Sequence, residues 1–234
     1  VLPPSAVHAT GGMVTAPPEN VHPRTAAEYD KYAAQYNVLD GGRLARSLGL
    51  TKLRAAATKR CEGRVLEVGV GTGLNLPFFD ASKCSEVVGI DLSTGMLSRA
   101  AAVARLLEDQ MDSPLQVQLV QMDAERLLFD DNSFDVVLDT FSLCVMKRPI
   151  QVLAEMRRVC KPGGRVVLLE HQRSDISTLA AYQDLCAPAA ADFLGKGCMW
   201  NQDVAAIMRS AGLCVERQEP ALLGLVALFE GSPA

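Results

Sequence analysis

A bilayer-spanning apolar run is missing from this chain: the longest late stretch, Ala221 to Phe229, falls well short of the roughly 20 residues a spanning helix needs. No transmembrane segment is expected. Paired cysteines are missing too. The seven, at 61, 84, 144, 160, 186, 198 and 214, are scattered without a C-x-x-C pair, and their odd number in 234 residues argues for reduced thiols in an intracellular compartment rather than a disulfide framework or a zinc site. The three histidines, His8, His22 and His171, make no ligand cluster along the sequence, so no metal is implied. Net charge is also small, at -4, which gives no global reason to expect nucleic acid. The charge is nevertheless uneven, since residues 1–60 hold eight Lys/Arg against four Asp/Glu, leaving 15 against 23 in the remainder. A basic front end on an acidic body can meet an anionic surface, although a solvated helix face accounts for it more simply. An initiator methionine is absent before Val1. The expectation is a leading segment ahead of it, with a cleaved organellar presequence fitting and the mitochondrion ranked above the cytoplasm.

The informative stretch is Val65-Leu66-Glu67-Val68-Gly69-Val70-Gly71-Thr72-Gly73-Leu74-Asn75. Val65 to Val68 reads as a buried strand, and three glycines at alternate positions form a turn leading into a helix. Walker A chemistry needs a Lys-Ser/Thr pair after the last glycine, where this chain has Leu74-Asn75. A dinucleotide fingerprint wants its third glycine three residues after the second, whereas Gly69, Gly71 and Gly73 are two apart. Downstream, Val87 to Asp91 reads as a second strand with an acid at its carboxyl end, 22 residues past Gly69, where a carboxylate can accept both hydroxyls of a ribose. Its plainer role is to cap the following helix, which Ser93 can do instead. A third strand, Val117 to Val120, leads into Gln121-Met122-Asp123-Ala124.

Glu67-x-Gly69-x-Gly71-x-Gly73, with Asp91 and Asp123 at the next two strand ends, resembles the class I S-adenosylmethionine-dependent methyltransferases. Lys161-Pro162-Gly163-Gly164 before an apolar strand is a further signature of that superfamily. The resemblance covers about residues 25–230. It implies an α/β fold: a Rossmann-like, doubly wound, seven-stranded sheet, mostly parallel with the last strand antiparallel, and helices on both faces. It also implies S-adenosyl-L-methionine as cofactor, with contacts from Tyr36, Glu67, Gly69, Gly71, Gly73, Asn75, Asp91, Leu92, Met96, Asp123, Ala124 and Thr140. Gly71 to Pro77, Glu170-His171 and Gly197 to Asn201 look most like the small-molecule and lipid branch, which includes ubiquinone/menaquinone, phosphatidylethanolamine and thiol methyltransferases.

Three regions are expected along the chain. Residues 1–24 are an irregular Pro/Gly-rich arm, residues 25–62 a helical lid, and residues 63–232 the methyltransferase core. In the lid Thr25 to Glu28 resembles a capping box, and Tyr29, Tyr32 and Tyr36 share one helical face. Tyr29 and Tyr32 read as packing residues, and Tyr36 as either packing or a roof over the cofactor. A second helical stretch, 44–59, is broken near Gly49. The fourth strand, Phe134 to Asp139, ends in Thr140-Phe141-Ser142-Leu143-Cys144, a mouth facing the methyl group. The Asp/Asn-Pro-Pro-aromatic cluster of nucleobase N-methyltransferases is absent there, which disfavours nucleic acid as acceptor.

A sulfonium methyl is already activated, so its displacement needs an in-line approach and desolvation more than side-chain chemistry. A general base matters only for a protonated nucleophile. His171 and Asp139 are the candidates, while Cys144 and Cys198 read as wall residues. Two functions follow. One is methyl transfer to a small, apolar or thiol/amine-bearing acceptor such as a lipid or quinone precursor. The other is a methyltransferase-fold assembly factor or subunit of a large, mitochondrial complex, with the N-terminal arm as the protein-binding element.

Overall fold

The computed structural model describes residues 7–8, 29–31, 33, 42–110, 115–193 and 197–234. The apolar runs named above become strands, except Ala221 to Phe229, which is divided by a 3-10 turn, Leu222–Gly224, between the last two strands. Strands β2 (Gly63–Val68), β3 (Cys84–Asp91), β4 (Val117–Gln121), β5 (Phe134–Thr140) and β6 (Cys160–His171) run parallel. The last two, β7 (Leu213–Ala221) and β8 (Val226–Pro233), form a hairpin whose second strand inserts antiparallel beside β6. Seven strands therefore lie in the order β4-β3-β2-β5-β6-β8-β7. An eighth, β1 (Val7–His8), pairs antiparallel with β4 at the edge, so the arm expected to be irregular contributes two residues to the sheet.

The period-two alternation of each strand sends side chains to two cores. Val65, Val87, Val136 and Val167 face one side, where they meet Ala57 of α2 (Leu50–Thr58) and Ala104 of α3 (Thr94–Gln110). Leu66, Val68, Val88, Val137 and Leu168 face the other, against Leu153 and Met156 of α4 (Pro149–Val159) and Met208 of α6 (Val204–Ser210). With helices on both faces the central strands have no polar side, which is why they read as unbroken apolar runs. A short helix α1 (Arg43–Ser47) precedes α2, and the break falls at Gly49 with φ 78°. Helix α5 (Ser177–Phe193) occupies the insert after β6. Among the described residues no helix is long and apolar enough to cross a membrane.

One element differs from expectation. The glycine turn after β2 leads into a single 3-10 turn, Leu76–Phe78, rather than an α-helix. Pro77 stands in the first turn, where a helix tolerates it, and the turn stops because Phe79 turns extended (φ -67°, ψ 138°). Thr58 of α2 donates to the Phe78 carbonyl at 3.2 Å, so α2 already covers the sheet face that such a helix would take.

The chain winds outward from β2 through β3 to β4, then returns to place β5 on the other side of β2. The loops leaving β2 and β5 therefore diverge, and a crevice opens between them at the carboxyl ends of the strands, the usual ligand position in such sheets.

Candidate active site

Gly69, Gly71 and Gly73 take φ of 64°, 56° and 80°, the left-handed region that disfavours any side chain. A Cβ on Gly69 would run into Ser142, and one on Gly73 would stand 2.9 Å from Leu76 Cδ1 and 3.2 Å from Ala100 Cα. Gly71 differs: the nearest atom to its missing Cβ is the Gly69 carbonyl oxygen at 3.9 Å, so its face is open to the cleft. Its N–H donates to Asp91 Oδ2 at 2.9 Å, and the Ser93 N–H donates to Asp91 Oδ1 at 2.8 Å. Burial raises the Asp91 carboxyl to about 6, against the pull of those two amides.

Ser93, rather than Asp91, caps α3 by accepting the Met96 N–H at 3.0 Å. Its hydroxyl donates to Asp30 Oδ1 at 2.6 Å, and the Gly95 N–H reaches the same oxygen at 2.8 Å. An acid at a helix N-terminus is favoured by the dipole, and this one ties the segment around Asp30 to the start of α3. Tyr29 is thereby brought into the cleft wall. That corrects the expectation that it only packs. Tyr36 and Tyr32 lie outside the described residues.

On the β4 side Asp123 accepts the Glu125 N–H at 2.8 Å, a local turn that presents Asp123 and Ala124 to the cleft. Leu92, Met96 and Thr140 complete the expected residues that line it. Opposite stand Phe141, Val145, Met146 and Val152, an apolar wall. Phe141 is held at φ 57° with its N–H on the Leu169 carbonyl at 2.9 Å. A bulky residue in that region stores strain of the kind found at functional sites.

Three expected contact residues lie beneath the cleft rather than on it. Glu67 is 1% exposed and Asn75 equally sealed, and Gly73 packs on α3. Asn75 Nδ2 donates to Glu67 Oε1 at 2.7 Å and to Thr140 Oγ1 at 2.9 Å. Arg54 Nη1 donates to the same Thr140 hydroxyl at 2.7 Å and to Asn75 Oδ1 at 3.1 Å. Thr140 thus connects the cleft to a buried polar cluster in which Glu67 Oε2 and Arg54 Nε have no hydrogen-bond partner among the described residues. Burial pushes the Glu67 carboxyl up to about 8, although Asn75 and the Arg54 charge pull it down.

Neither catalytic candidate lines the cleft. Asp139 is fully buried and accepts from the Ser142 hydroxyl at 2.5 Å, so it is Ser142 that faces the cavity. Glu170, equally buried, accepts the Ser142 and Leu143 N–H groups at 2.6 and 3.1 Å. Asp139 Oδ2 and Glu170 Oε2 find no hydrogen-bond partner among the described residues, and the neighbouring Asp139 charge adds to burial in disfavouring ionisation of Glu170. Burial raises both, Asp139 to about 7 and Glu170 well above the usual carboxylate range. His171 sits behind Phe141, ring centroids 5.0 Å apart, with Nδ1 turned toward the sulfurs of Cys144 and Cys198 at 3.7 and 3.8 Å. That cluster corrects the expectation that no histidine joins a ligand group: the fold assembles what sequence spacing does not show.

Sequence reasoning missed Arg54 and Ser142. Nothing along the chain separates Arg54 from the surface cations of a helix. Ser142 had a signal, its place inside the strand-end mouth Thr140 to Cys144, where it stands beside Gly69.

The doubly wound order, the antiparallel hairpin and a glycine turn at the point of reversal together define a nucleoside-binding methyltransferase architecture. A methyltransferase domain family matches residues 66–168. A phosphatidylethanolamine N-methyltransferase of Cereibacter sphaeroides is 45% identical over 125 residues, 53% of this chain and 59% of the relative. The mitochondrial methyltransferase OMS1 of Saccharomyces cerevisiae is 26% identical over 219 residues, 88% of this chain and 44% of the relative. A demethylmenaquinone methyltransferase of Clavibacter sepedonicus is 30% identical over 230 residues, 89% of each chain. The chain thus spans about half the length of the first two, at 59% and 44%, and most of the third. Among solved structures, an S-adenosylmethionine-dependent methyltransferase of Thermotoga maritima superposes with a TM-score of 0.64 at 19% identity, covering 90% of this chain and all of that one. The chain belongs to the class I S-adenosylmethionine-dependent methyltransferases, and it is similar to their lipid and quinone branch.

Proposed function

We propose that the protein transfers a methyl group from S-adenosylmethionine to a small apolar acceptor of the lipid or quinone-precursor class. The observation that carries this reading is one cleft with two unlike walls: acids and glycine backbone on one side, and Phe141, Val145, Met146 and Val152 on the other. The polar side fits the cofactor. Asp91 would take the ribose hydroxyls, and Asp123 with the Ala124 amide the adenine edge. Leu92 and Met96 would pack on the nucleoside, and Gly69 and Gly71 would admit the methionine end against bare backbone. Thr140, Asn75 and Glu67 would serve the amino group from below, where Glu67 Oε2 still has an open hydrogen-bonding position. Gly73 shapes the turn, and Tyr29 stands at the cleft wall; Tyr36, expected from sequence as packing or roof, lies outside the described residues.

When bound, the cofactor supplies an activated methyl on a cationic sulfur. The chain's own residues would orient and dry the site. Phe141, Val145 and Met146 would exclude water from the line of approach, and the Ser142 hydroxyl, tied to Asp139, would offer a polar atom beside that wall. An acceptor that starts protonated would pass its proton toward the Ser142–Asp139 pair, with Asp139 a positioning residue. His171 would act through Phe141 and the Cys144 turn. The names of the phosphatidylethanolamine and demethylmenaquinone methyltransferases support a lipid or quinone acceptor. The name of the yeast relative, together with the basic front end, supports a mitochondrial location.

The test is transfer of labelled methyl from the cofactor to separated phospholipid, quinone-precursor, thiol and RNA fractions. Label in the first two supports the reading, and label in RNA alone sinks it. Cofactor bound without label in any fraction would instead favour a non-catalytic assembly role.

A further inference from the structure

The loops after β5 and β6 and the segment before α6 bring together three side chains that the cleft does not use. Cys144 Sγ lies 3.0 Å from Cys198 Sγ, and His171 Nδ1 stands 3.7 and 3.8 Å from the two sulfurs. All three atoms fall within 4.8 Å of one another. We propose that Cys144, His171 and Cys198 form a three-ligand site for one zinc-type divalent ion, on the far side of Phe141 from the cofactor cleft.

A tetrahedral zinc ion with Zn–S of about 2.3 Å and Zn–N of about 2.1 Å sets S···N at about 3.6 Å and S···S at about 3.8 Å. Both nitrogen-to-sulfur separations already match, and the sulfurs need to part by about 0.8 Å from their 3.0 Å spacing. Disulfide formation is the competing chemistry, and it would instead draw the sulfurs in to about 2.05 Å. The imidazole decides between them. A ring nitrogen equidistant from two thiols is placed for a shared ion, and a disulfide has no use for it.

The site is also braced. Glu170 holds the two amides that precede Cys144, and the Met199 N–H donates to the Cys144 carbonyl at 2.9 Å. Buried Gln183 reaches the Trp200 carbonyl at 2.9 Å and the Gln172 carbonyl at 2.8 Å, fixing the Cys198 segment to the end of β6. Cys144 is buried whereas His171 and Cys198 are half-buried, so an ion can enter from the open side. Binding sends two thiol protons to solvent and leaves two thiolates and a neutral imidazole around the metal. Three protein ligands with a fourth position open is the pattern of a reactive zinc site rather than a closed structural one.

The experiment loads the reduced full chain with cobalt as a spectroscopic probe and, separately, with zinc. The expected result is one ion per chain by elemental analysis, and with cobalt a thiolate charge-transfer band. Cys198→Ser and His171→Ala should each weaken binding by more than about a hundredfold, while Cys214→Ser, at an exposed thiol outside the cluster, leaves it unchanged. Circular dichroism and cofactor binding report whether each variant is folded. The wild-type spectrum decides independently of any variant. Absence of the charge-transfer band, unchanged binding in folded Cys198→Ser, or peptide mapping that finds a Cys144–Cys198 disulfide persisting under the reducing conditions would overturn the proposal. Because the readout is metal content, it stands or falls apart from methyl transfer.

Discussion

The acids at the ends of β3 and β4 and those at the ends of β2, β5 and β6 occupy equivalent places in the sheet yet live in opposite conditions. Asp91 and Asp123 border the cleft and accept backbone N–H groups, Asp91 on both oxygens. Glu67, Asp139 and Glu170 are sealed, and each keeps one oxygen without a donor among the described residues. In the function proposed above the outer pair recognises the ligand directly, while burial raises all three inner carboxyls so that they favour their protonated forms. The division follows the strand order: β3 and β4 end at the open side of the crevice, whereas β2, β5 and β6 end under the turn Thr140–Cys144 and the helix α2.

The largest effect that would test this division is a pH effect at Glu67. Its folded carboxyl sits at about 8 against an ordinary 4.5. A raised carboxyl contributes stability that is complete below the unfolded value and is lost as pH rises through the folded one. Without cofactor, the stability of the wild type relative to Glu67→Gln should therefore fall between pH 4.5 and 8 and level off above that. The size is on the order of 3–5 kcal/mol. Urea unfolding across that range measures it. A difference that stays flat with pH would mean that Glu67 is ionised when folded, and the inner group would then belong with the outer one.

Next in size is Asp91→Ala. Losing a charged acceptor of two hydroxyls should weaken cofactor binding by about 1.5–3 kcal/mol, roughly 10- to 100-fold. The wild type should also bind less tightly below about pH 6, where Asp91 gains a proton, by up to about tenfold per unit. Calorimetric titration at two pH values gives both. Unchanged affinity in the variant would take the ribose away from this acid.

How much of this division could be read from the chain itself differs by half. The strands, the crevice at Gly69 to Gly73 and the outer acids were legible, because a strand-end acid about 20 residues past a glycine turn is a local pattern with a local cause. The inner group was not. Glu67 reads as a cleft residue, but its side chain folds under the turn because Asn75, eight positions on, supplies the donor. Arg54 reaches Thr140 across 86 positions, and Cys144 meets Cys198 across 54, separations at which sequence carries no contact signal. The helix expected after Gly73 gave way to one 3-10 turn that ends at extended Phe79, whose preceding carbonyl is taken by Thr58 twenty positions back, a contact with no local signal.

Ser142 sits on the border between the halves, so its effect should be smaller and more telling. Ser142→Ala removes the hydroxyl that satisfies Asp139 at 2.5 Å but keeps the amide that serves Glu170. A loss of about 1–2 kcal/mol in unfolding free energy is expected, with cofactor affinity nearly unchanged. If affinity fell further than stability, Ser142 would belong to the recognising wall and Asp139 would act on the ligand through it.

The smallest effect belongs at the rim. Arg148 forks onto Glu125 with contacts of 2.8 and 2.5 Å, and Glu125 borders the cleft. The pair looks strong by geometry, but the arginine is exposed, so water and salt screen the attraction and the long side chain gives up rotamer freedom to hold it. Arg148→Ala should leave the melting temperature and cofactor affinity unchanged within error at physiological salt. The same measurement at low salt sharpens the contrast, since only there should a small destabilisation emerge. A marked loss of affinity at physiological salt would show that the outer wall, like the inner group, depends on a sealed and unscreened charge, and the two halves would no longer differ in kind.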